Sequence, residues 1–202
     1  KRTAELIRPI LRGRDIRRYE YEWADKYLIA TFPSRHYDIE LYPAVKRHLL
    51  SFGKERLEQT GKTYSINGEK IKARKKTHNK WFETQDSISY WEDFMRPKII
   101  WKRIGSILRF SYDTTGNLGL DSTCFATGQH MAYLCCILNS LMGHYMFKDS
   151  PKTGTGDLLV SVQAIEPILI PMNKDMECLF ENLLEEVLEH RSEETEKEIN
   201  RL

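Results

Sequence analysis

The sequence lacks the residue spacings of metal and disulfide sites. Its 202 residues include four cysteines, and no two of them follow the C-x-x-C spacing of zinc motifs. None of the six histidines follows a cysteine at zinc-finger distance. We therefore expect no metal site, and we expect reduced thiols and a cytoplasmic location.

Long apolar runs are also missing. The richest stretch, Met131–Phe147, is interrupted by polar residues and a glycine, and no run approaches the roughly 18 residues of a membrane-spanning helix. No signal peptide is recognisable, so we expect no membrane partner. Because the chain starts at Lys1 without methionine and stops at Leu202 inside a charged helical pattern, we expect it to be part of a longer polypeptide.

Local catalytic motifs are absent as well. No lysine has Asp or Glu two positions before it, as the commonest restriction-type nucleases require. There is no Walker loop, no G-x-S-x-G elbow and no Asn/Asp-Pro-Pro-aromatic motif for amino-group methylation. Gly154-Thr155-Gly156 lacks a third glycine and precedes a predicted strand. We expect no catalytic residue and no cofactor in this chain.

What the sequence does contain is a division of charge. The net charge is +2, yet residues 1–112 hold 25 basic and 14 acidic side chains. Residues 113–202 hold 6 basic and 15 acidic ones, and most of this acidic excess lies in residues 175–202. A basic half opposite an acidic half predicts a polyanionic partner such as nucleic acid.

The strongest basic segment lies between residues 60 and 80. Asn67-Gly68 predicts a turn there, and a following strand would place alternate basic residues on one face. Each exposed Lys or Arg side chain that reaches a phosphate releases counterions. This release supplies most of the sequence-independent affinity for nucleic acid. A solvated loop is the alternative. We predict phosphate contacts from six residues of this segment: Lys70, Lys72, Arg74, Lys75, Lys76 and Lys80.

A second basic group lies near the N-terminus. Its members are Arg8, Arg12, Arg14, Arg17 and Arg18. Arg12 and Arg14 flank Gly13, whose backbone can approach a ligand closely, so we predict nucleic-acid contacts from these two. The alternative has equal weight: the arginines form salt bridges with neighbouring acids, namely Asp15, Glu20 and Glu22.

Apolar periodicity predicts helices mixed with short strands. The predicted strands are Tyr27–Phe32, Lys98–Ile104, Leu108–Tyr112, Thr123–Ala126 and Leu158–Val162. The predicted helices start at Tyr42, span Gln129–Lys148, and follow the caps Asn173 and Ser192. Because no regular βαβ alternation appears, we predict an α+β (mixed α/β) fold. We expect a recognition domain over residues 1–172 and a helical spacer or capping segment over residues 173–202.

Six short motifs follow one another in a fixed order along residues 6–172. They are Leu11–Tyr19, Tyr42–Lys46, Arg96–Trp101, Leu120–Thr123, Ile137–Ser140, and Ser161–Glu166 with Ile170-Pro171. Together they resemble the TaqI-like C-terminal specificity domain of type IIG restriction–modification enzymes and adenine-specific DNA methyltransferases. In that family they would be the opening motif, a helix start, the central strand, the next strand, the middle of the core helix and the closing strand. Pro167 and Leu169 depart slightly from the usual ending.

This resemblance implies a DNA target-recognition domain that serves bacterial defence. Such domains follow an adenine-N6 methyltransferase domain, and often a nuclease, in the same polypeptide. The partners would be double-stranded DNA and that methyltransferase domain, and S-adenosylmethionine and Mg²⁺ would bind the parent enzyme outside this chain. Base-reading contacts would come from variable loops, which we place at Tyr64–Asn67 and Thr153–Thr155.

Two questions stay open at this level. The helices after Asn173 could pack on the methyltransferase or a partner domain, or could close this chain's own core. The main alternative function is a protein-interaction module that docks through the acidic helix of residues 175–198. RNA binding is disfavoured because the chain lacks a ribonucleoprotein-type aromatic motif, and a self-contained hydrolase ranks last.

Overall fold

A computed structural model describes residues 2–190 and 192–202. Within these ranges it contains seven α-helices and ten short strands, so the predicted α+β class is confirmed. The chain forms two compact units. The first comprises the residues up to Pro9 and Tyr27–Trp91, and the second comprises Ile10–Lys26 and Glu92–Leu202. No helix of the described ranges is both long and apolar enough to cross a membrane.

The first unit is built from short elements around a small apolar core. Its elements are strand β1 (Ile7–Leu11, of which Ile7–Pro9 lie in this unit), β2 (Tyr27–Ile29), helix α1 (Pro43–Leu50), α2 (Lys54–Leu57), β3 (Thr63–Ile66) and β4 (Glu69–Lys72). β1 pairs antiparallel with β2, and β3 pairs antiparallel with β4. The buried core residues are Leu6, Ile39, Tyr42, Val45 and Phe82.

Two predictions for this unit need adjustment. The strand predicted over Tyr27–Phe32 ends at Ile29, because Pro33 opens a 3-10 turn soon after it. The helix predicted from Tyr42 is confirmed and begins at Pro43. Its predicted apolar face is mostly wrong: Val45 is buried and Leu49 half-buried, but Ala44, His48 and Phe52 are exposed. α1 thus lies at the surface of the unit and contributes little to its core.

A three-stranded antiparallel sheet forms the centre of the second unit. The strands of this unit are β5 (Lys98–Lys102), β6 (Ile104–Gly105), β7 (Phe110–Asp113), β8 (Leu118–Gly119), β9 (Thr123–Thr127) and β10 (Leu158–Leu159). β5 lies between β7 and β9, which confirms the central strand that the family resemblance placed at Arg96–Trp101. β8 pairs in parallel with Ile10 and Leu11 of β1, and β6 pairs antiparallel with β10.

The single helix predicted over Gln129–Lys148 is wrong, because the structure contains two helices there. α3 (Met131–Asn139) ends before Ser140, whose extended backbone starts α4 (Leu141–Met146) and whose hydroxyl accepts a hydrogen bond from the Gly143 amide. The family motif at Ile137–Ser140 therefore ends the core helix instead of lying in its middle. Leu141, Met142 and Tyr145, predicted on the apolar face, are exposed.

The chain ends in helices. They are α5 (Val162–Ile165), α6 (Lys174–Glu189) and α7 (Glu193–Arg201). The predicted caps are confirmed, since Asn173 accepts from the Asp175 amide and Ser192 from the Thr195 amide. The closing strand expected at Ser161–Glu166 is wrong, because amides of this segment bond back within it, as from Glu166 to the Val162 carbonyl, and form a helical turn. The strand predicted to reach Val162 ends at Leu159.

The apolar faces of α6 and α7 belong to the core of the second unit. That core contains residues of the sheet, of α3 and of both C-terminal helices, among them Phe110, Cys135, Phe180, Leu184 and Ile199. The last helices therefore help to close this chain's own core. The functional division expected at residue 172 stays a prediction.

A buried ion pair lies at one end of the central sheet. Lys98 and Asp113, opposite each other on β5 and β7, pair with their side chains fully buried. The Lys98 ammonium also donates to the Phe94 carbonyl over 2.9 Å. Burial alone would raise the pKa of Asp113, but hydrogen bonds from Lys98 and Thr115 and the charge of Lys98 outweigh it and hold that pKa below its usual value. The carboxylate is therefore ionised in the folded chain.

Candidate nucleic-acid interface

The predicted basic segment forms a β-hairpin and the loop that follows it. β3 and β4 pair over four residues each, from Thr63 opposite Lys72 to Ile66 opposite Glu69. The connecting residues Asn67 and Gly68 both have positive φ, 49° and 84°, which is the geometry of a two-residue type I′ hairpin turn. The turn predicted from Asn67-Gly68 is confirmed.

The hairpin exposes its lysines on one face. Lys70 and Lys72 alternate with the half-buried Ile71 along β4, so both ammonium groups extend into solvent. Lys75 and Lys76, which follow the strand, are exposed too. Within residues 2–190 and 192–202, none of these four lysines forms an ion pair. Their charges are therefore available to an external anion.

Arg74 behaves differently from its neighbours. Its guanidinium donates to the backbone carbonyls of Leu57 (2.8 Å), Glu83 (2.9 Å) and Trp81. Partial burial lowers the pKa of Arg74 below the usual arginine value. The predicted alternation of basic side chains on one face therefore stops at Lys72. The hydrogen bonds of Arg74 connect the end of the hairpin to the segment that follows.

Gln59 and Glu83 hold the remainder of the basic loop. The Gln59 amide donates to the carbonyls of Lys80 (3.0 Å) and Glu83 (2.8 Å), and its oxygen accepts from the Thr77 hydroxyl. The buried Glu83 carboxylate accepts from the Lys80 amide over 2.7 Å. Both ends of the loop are thus hydrogen-bonded to the unit, which holds Lys75 and Lys76 on a fixed support. The exposed Lys80 side chain lies over the Phe82 ring.

The N-terminal arginines mostly have internal partners. Arg8 lies over the Trp91 ring in the first unit. In the second unit Arg17 pairs with Glu22 and Arg18 with Glu196, each over 2.6 Å. The salt bridges that were the alternative interpretation are therefore present, although Arg18 reaches an acid of α7 that the sequence did not suggest.

Arg12, one of the two predicted contacts, forms a two-pronged ion pair with Asp15. Its Nε and Nη2 donate to the carboxylate over 2.9 and 2.7 Å, and its own amide donates to the same group over 2.9 Å. The side-chain hydrogen bond from Arg12 is the main cause that lowers the pKa of Asp15, and the same bond raises the pKa of Arg12. This pairing closes the 3-10 turn of Gly13–Asp15.

Arg14, the other predicted contact, extends from the tip of that turn. Its side chain is exposed, and no ion pair involves it among the described residues. It lines a small cavity of the second unit together with two cations that sequence reasoning missed, Lys102 and Arg109. Lys102 ends β5 and Arg109 directly precedes β7, so the antiparallel pairing of those strands brings the two cations near each other. The sequence signal that could have found them is the basic residue at each end of the connection between β5 and β7.

The loops expected to read bases have different structures. In the hairpin Ser65 and Asn67 are exposed, whereas the Tyr64 hydroxyl lies 3.1 Å from the Thr60 hydroxyl. The loop before β10 is closed by its own hydrogen bonds, including one of 2.8 Å from the Thr153 amide to the Asp157 carbonyl. Among the described residues, no group of three or more His, Cys, Asp or Glu side chains could hold a metal ion.

These observations define the class of the protein. It is an α+β chain with exposed lysines on a supported hairpin and with N-terminal arginines that mostly have internal partners. Its sequence matches the TaqI-like C-terminal specificity domain family over residues 8–160, and the chain belongs to that family. The family has a DNA target-recognition role in restriction–modification enzymes, and a specificity domain is not itself catalytic. A comparison with curated proteins finds no match.

Proposed function

We propose that the chain binds a specific duplex DNA sequence and directs a tethered adenine-N6 methyltransferase to it. The observation that carries this proposal is the hairpin β3–β4, which exposes Lys70 and Lys72 on one face, with Lys75 and Lys76 on the supported loop beyond it. Such lysines suit the phosphates of a DNA backbone, because each contact releases counterions and none requires breaking an internal ion pair.

Phosphate contacts position a protein on DNA, and base contacts specify the sequence. We propose that sequence is read beside these lysines by the exposed Ser65 and Asn67 of the hairpin, with Thr153–Thr155 as the second candidate loop. The Asn67 amide has the donor and acceptor needed for a bidentate contact to adenine.

The parent enzyme in this proposal is a type IIG restriction–modification enzyme or an adenine-specific DNA methyltransferase of bacterial defence that works in the cytoplasm. S-adenosylmethionine would bind its methyltransferase domain, and Mg²⁺ would bind its nuclease if one is present. This chain would position the parent enzyme on DNA and would supply no reacting group.

A salt titration tests the DNA-binding part of the proposal. We expect the 202-residue chain to bind a labelled duplex of randomised sequence, with an affinity that falls steeply between about 50 and 200 mM salt. The double variant Lys75→Ala/Lys76→Ala should flatten the log–log slope by about two units, one for each lost phosphate contact.

The matched control removes the same charge from the acidic helices. Lys174→Ala/Lys197→Ala changes two exposed lysines of α6 and α7 and should leave the slope unchanged. A slope that is equal in wild type and in the Lys75/Lys76 variant would remove residues 70–80 from the interface. Binding without salt dependence, or no binding, would overturn the proposed function and favour the protein-interaction alternative.

A further inference from the structure

The second unit contains a cationic cavity beside the family's opening motif. Its volume is about 250 Å³, and three basic side chains line it: Arg14, Lys102 and Arg109. Ser106 adds a hydroxyl, and none of the lining residues is acidic. Three positive charges around a small space attract an anion into it.

The cations of the cavity have no internal counterions. Among residues 2–190 and 192–202, neither Arg14, nor Lys102, nor Arg109 forms an ion pair. The acids nearby are already engaged, since Asp15 is paired with Arg12 and Glu22 with Arg17. Arg109 is close enough to Glu22 to lower the pKa of that carboxyl, after the larger effect of Arg17. The charge at the cavity is therefore left for an external group.

Two glycines leave room for the side chain of Lys102. A Cβ on Gly13 would lie 2.9 Å from Cγ of Lys102, and a Cβ on Gly105 would lie 3.3 Å from its Cδ. The alkyl chain of Lys102 thus passes closely beside both glycines, in a space that larger residues would close. The Gly13 amide donates to the Ser122 hydroxyl over 3.0 Å, which holds the turn against this lysine.

The other two cations are supported by the backbone. Arg14 lies at the tip of the turn that the Arg12–Asp15 pair closes, and its carbonyl accepts from Nη1 of Arg17 over 2.7 Å. Arg109 directly precedes β7, and Gly105 of the same connection is paired with Leu158 of β10. The cavity is therefore formed by well-anchored segments, which reduces the entropic cost of binding an ion.

We infer that this cavity binds one phosphate group, a phosphodiester of the DNA backbone, held jointly by Arg14, Lys102 and Arg109. The inference rests on the proposed function and extends it to a second site of contact that lies outside the basic hairpin. Guanidinium groups offer paired donors that match phosphate oxygens, and the ammonium adds a point charge. The opening motif then has two tasks: Arg12 and Asp15 close the turn, and Arg14 contacts the anion.

The test uses the 202-residue chain with three substitutions, Arg14→Gln, Lys102→Met and Arg109→Gln, singly and together. Methionine keeps an unbranched chain beside the two glycines, so the packing of Lys102 is preserved. Arg103→Gln is the matched control, because Arg103 is an exposed neighbour with the same charge that does not line the cavity. Urea unfolding of every variant checks that the fold is retained, and the exposed Arg14→Gln variant keeps the test valid if the triple variant does not fold.

Duplex binding is measured against salt with the randomised probe. If one phosphate is shared by three cations, each single variant weakens binding severalfold, and the triple variant flattens the salt slope by only about one unit. Flattening by about three units would indicate three separate phosphate contacts and overturn the shared site. An unchanged slope in all variants would overturn the site altogether, while salt-dependent binding by wild type would leave the proposed function standing.

A second arm separates a DNA phosphate from a free one. Inorganic phosphate is added to wild type and to the triple variant without DNA, and the unfolding temperature is recorded. For a phosphodiester site we expect weak stabilisation at most, lost in the triple variant. Strong stabilisation of wild type by inorganic phosphate, together with duplex binding that the triple variant retains, would assign the cavity to a free phosphate and overturn the DNA inference.

Discussion

Arg12 and Asp15 form a closed pair, in which one carboxylate accepts hydrogen bonds from the backbone amide, Nε and Nη2 of the same arginine. Asp15 is buried, so this carboxylate depends on Arg12 for its partners. Arg14, two residues after Arg12, is exposed and forms no ion pair within the described ranges. The two arginines that flank Gly13 therefore have different roles.

The first prediction separates these roles. Arg12→Gln should lower the urea midpoint, because it removes the charged partner of a buried carboxylate, whereas Arg14→Gln should leave the midpoint nearly unchanged. Equilibrium unfolding followed by circular dichroism measures both. Equal midpoints for the two variants would show that the Arg12–Asp15 pair does not stabilise the turn.

The second prediction concerns the support of the basic hairpin. Arg74→Ala leaves the carbonyls of Leu57, Trp81 and Glu83 without their charged donor and should destabilise the chain by about 1.5–3 kcal/mol. Lys75→Ala, one residue along, should change stability by less than about 0.5 kcal/mol. Urea denaturation compares the two, and the reverse order would mean that Arg74 is not structural.

The third prediction concerns the break between α3 and α4. A Cβ at Gly143 would clash with the carbonyl oxygens of Ile137 and Leu138, so Gly143→Ala should destabilise the chain by about 1–3 kcal/mol. Gly154→Ala is the matched control, because among the described residues no atom beyond its two chain neighbours lies within 4 Å of the added Cβ. Thermal unfolding should show a clear loss for the first variant and little change for the second. A tolerated alanine at Gly143 would favour a continuous helix.

The fourth prediction is a pH dependence that originates in the core. The pKa of Asp113 is lowered in the folded chain, so its contribution to stability is complete above the usual Asp pKa of about 4 and is lost as the pH falls through the lowered value. Lys98→Met should cost about 3–5 kcal/mol at neutral pH, because it leaves a buried charge unpaired.

The control replaces both partners. Lys98→Met/Asp113→Leu should recover much of the stability lost in the single variant and should show a weaker decline below pH 4. Urea midpoints across the acidic range provide the comparison. A double variant as unstable as the single one would show that the pair contributes through packing and not through charge.

Sequence patterns predicted those features that depend on neighbouring residues. The turn at Asn67-Gly68 needs only two residues that tolerate positive φ. The caps Asn173 and Ser192 need only a side-chain oxygen before a helical pattern. The exposure of Lys70 and Lys72 followed from strand alternation. All three are local, which is why the sequence alone was sufficient.

Features that depend on distant contacts could not be predicted in this way. The periodicity of Gln129–Lys148 continues through Ser140, and nothing local shows that Gly143 packs on the preceding carbonyls. Arg74 continues the alternation of Lys70 and Lys72 in the sequence. In the structure, however, its guanidinium donates hydrogen bonds to the backbone carbonyls of Leu57 and Trp81. The cavity of Arg14, Lys102 and Arg109 exists only after the strands pair.

The hairpin tip has a consequence for how target preference can change. Ser65 and Asn67 are exposed, and in the part of the chain that the structure describes no atom beyond the two chain neighbours lies within 4 Å of a Cβ built on Gly68. The hydrogen bonds that hold the hairpin and its loop come from other residues, namely Arg74, Gln59 and Glu83. New side chains at the tip therefore need to satisfy only the turn geometry and not the interior. The residues proposed to read bases can therefore be replaced, by evolution or by design, while the fold remains intact.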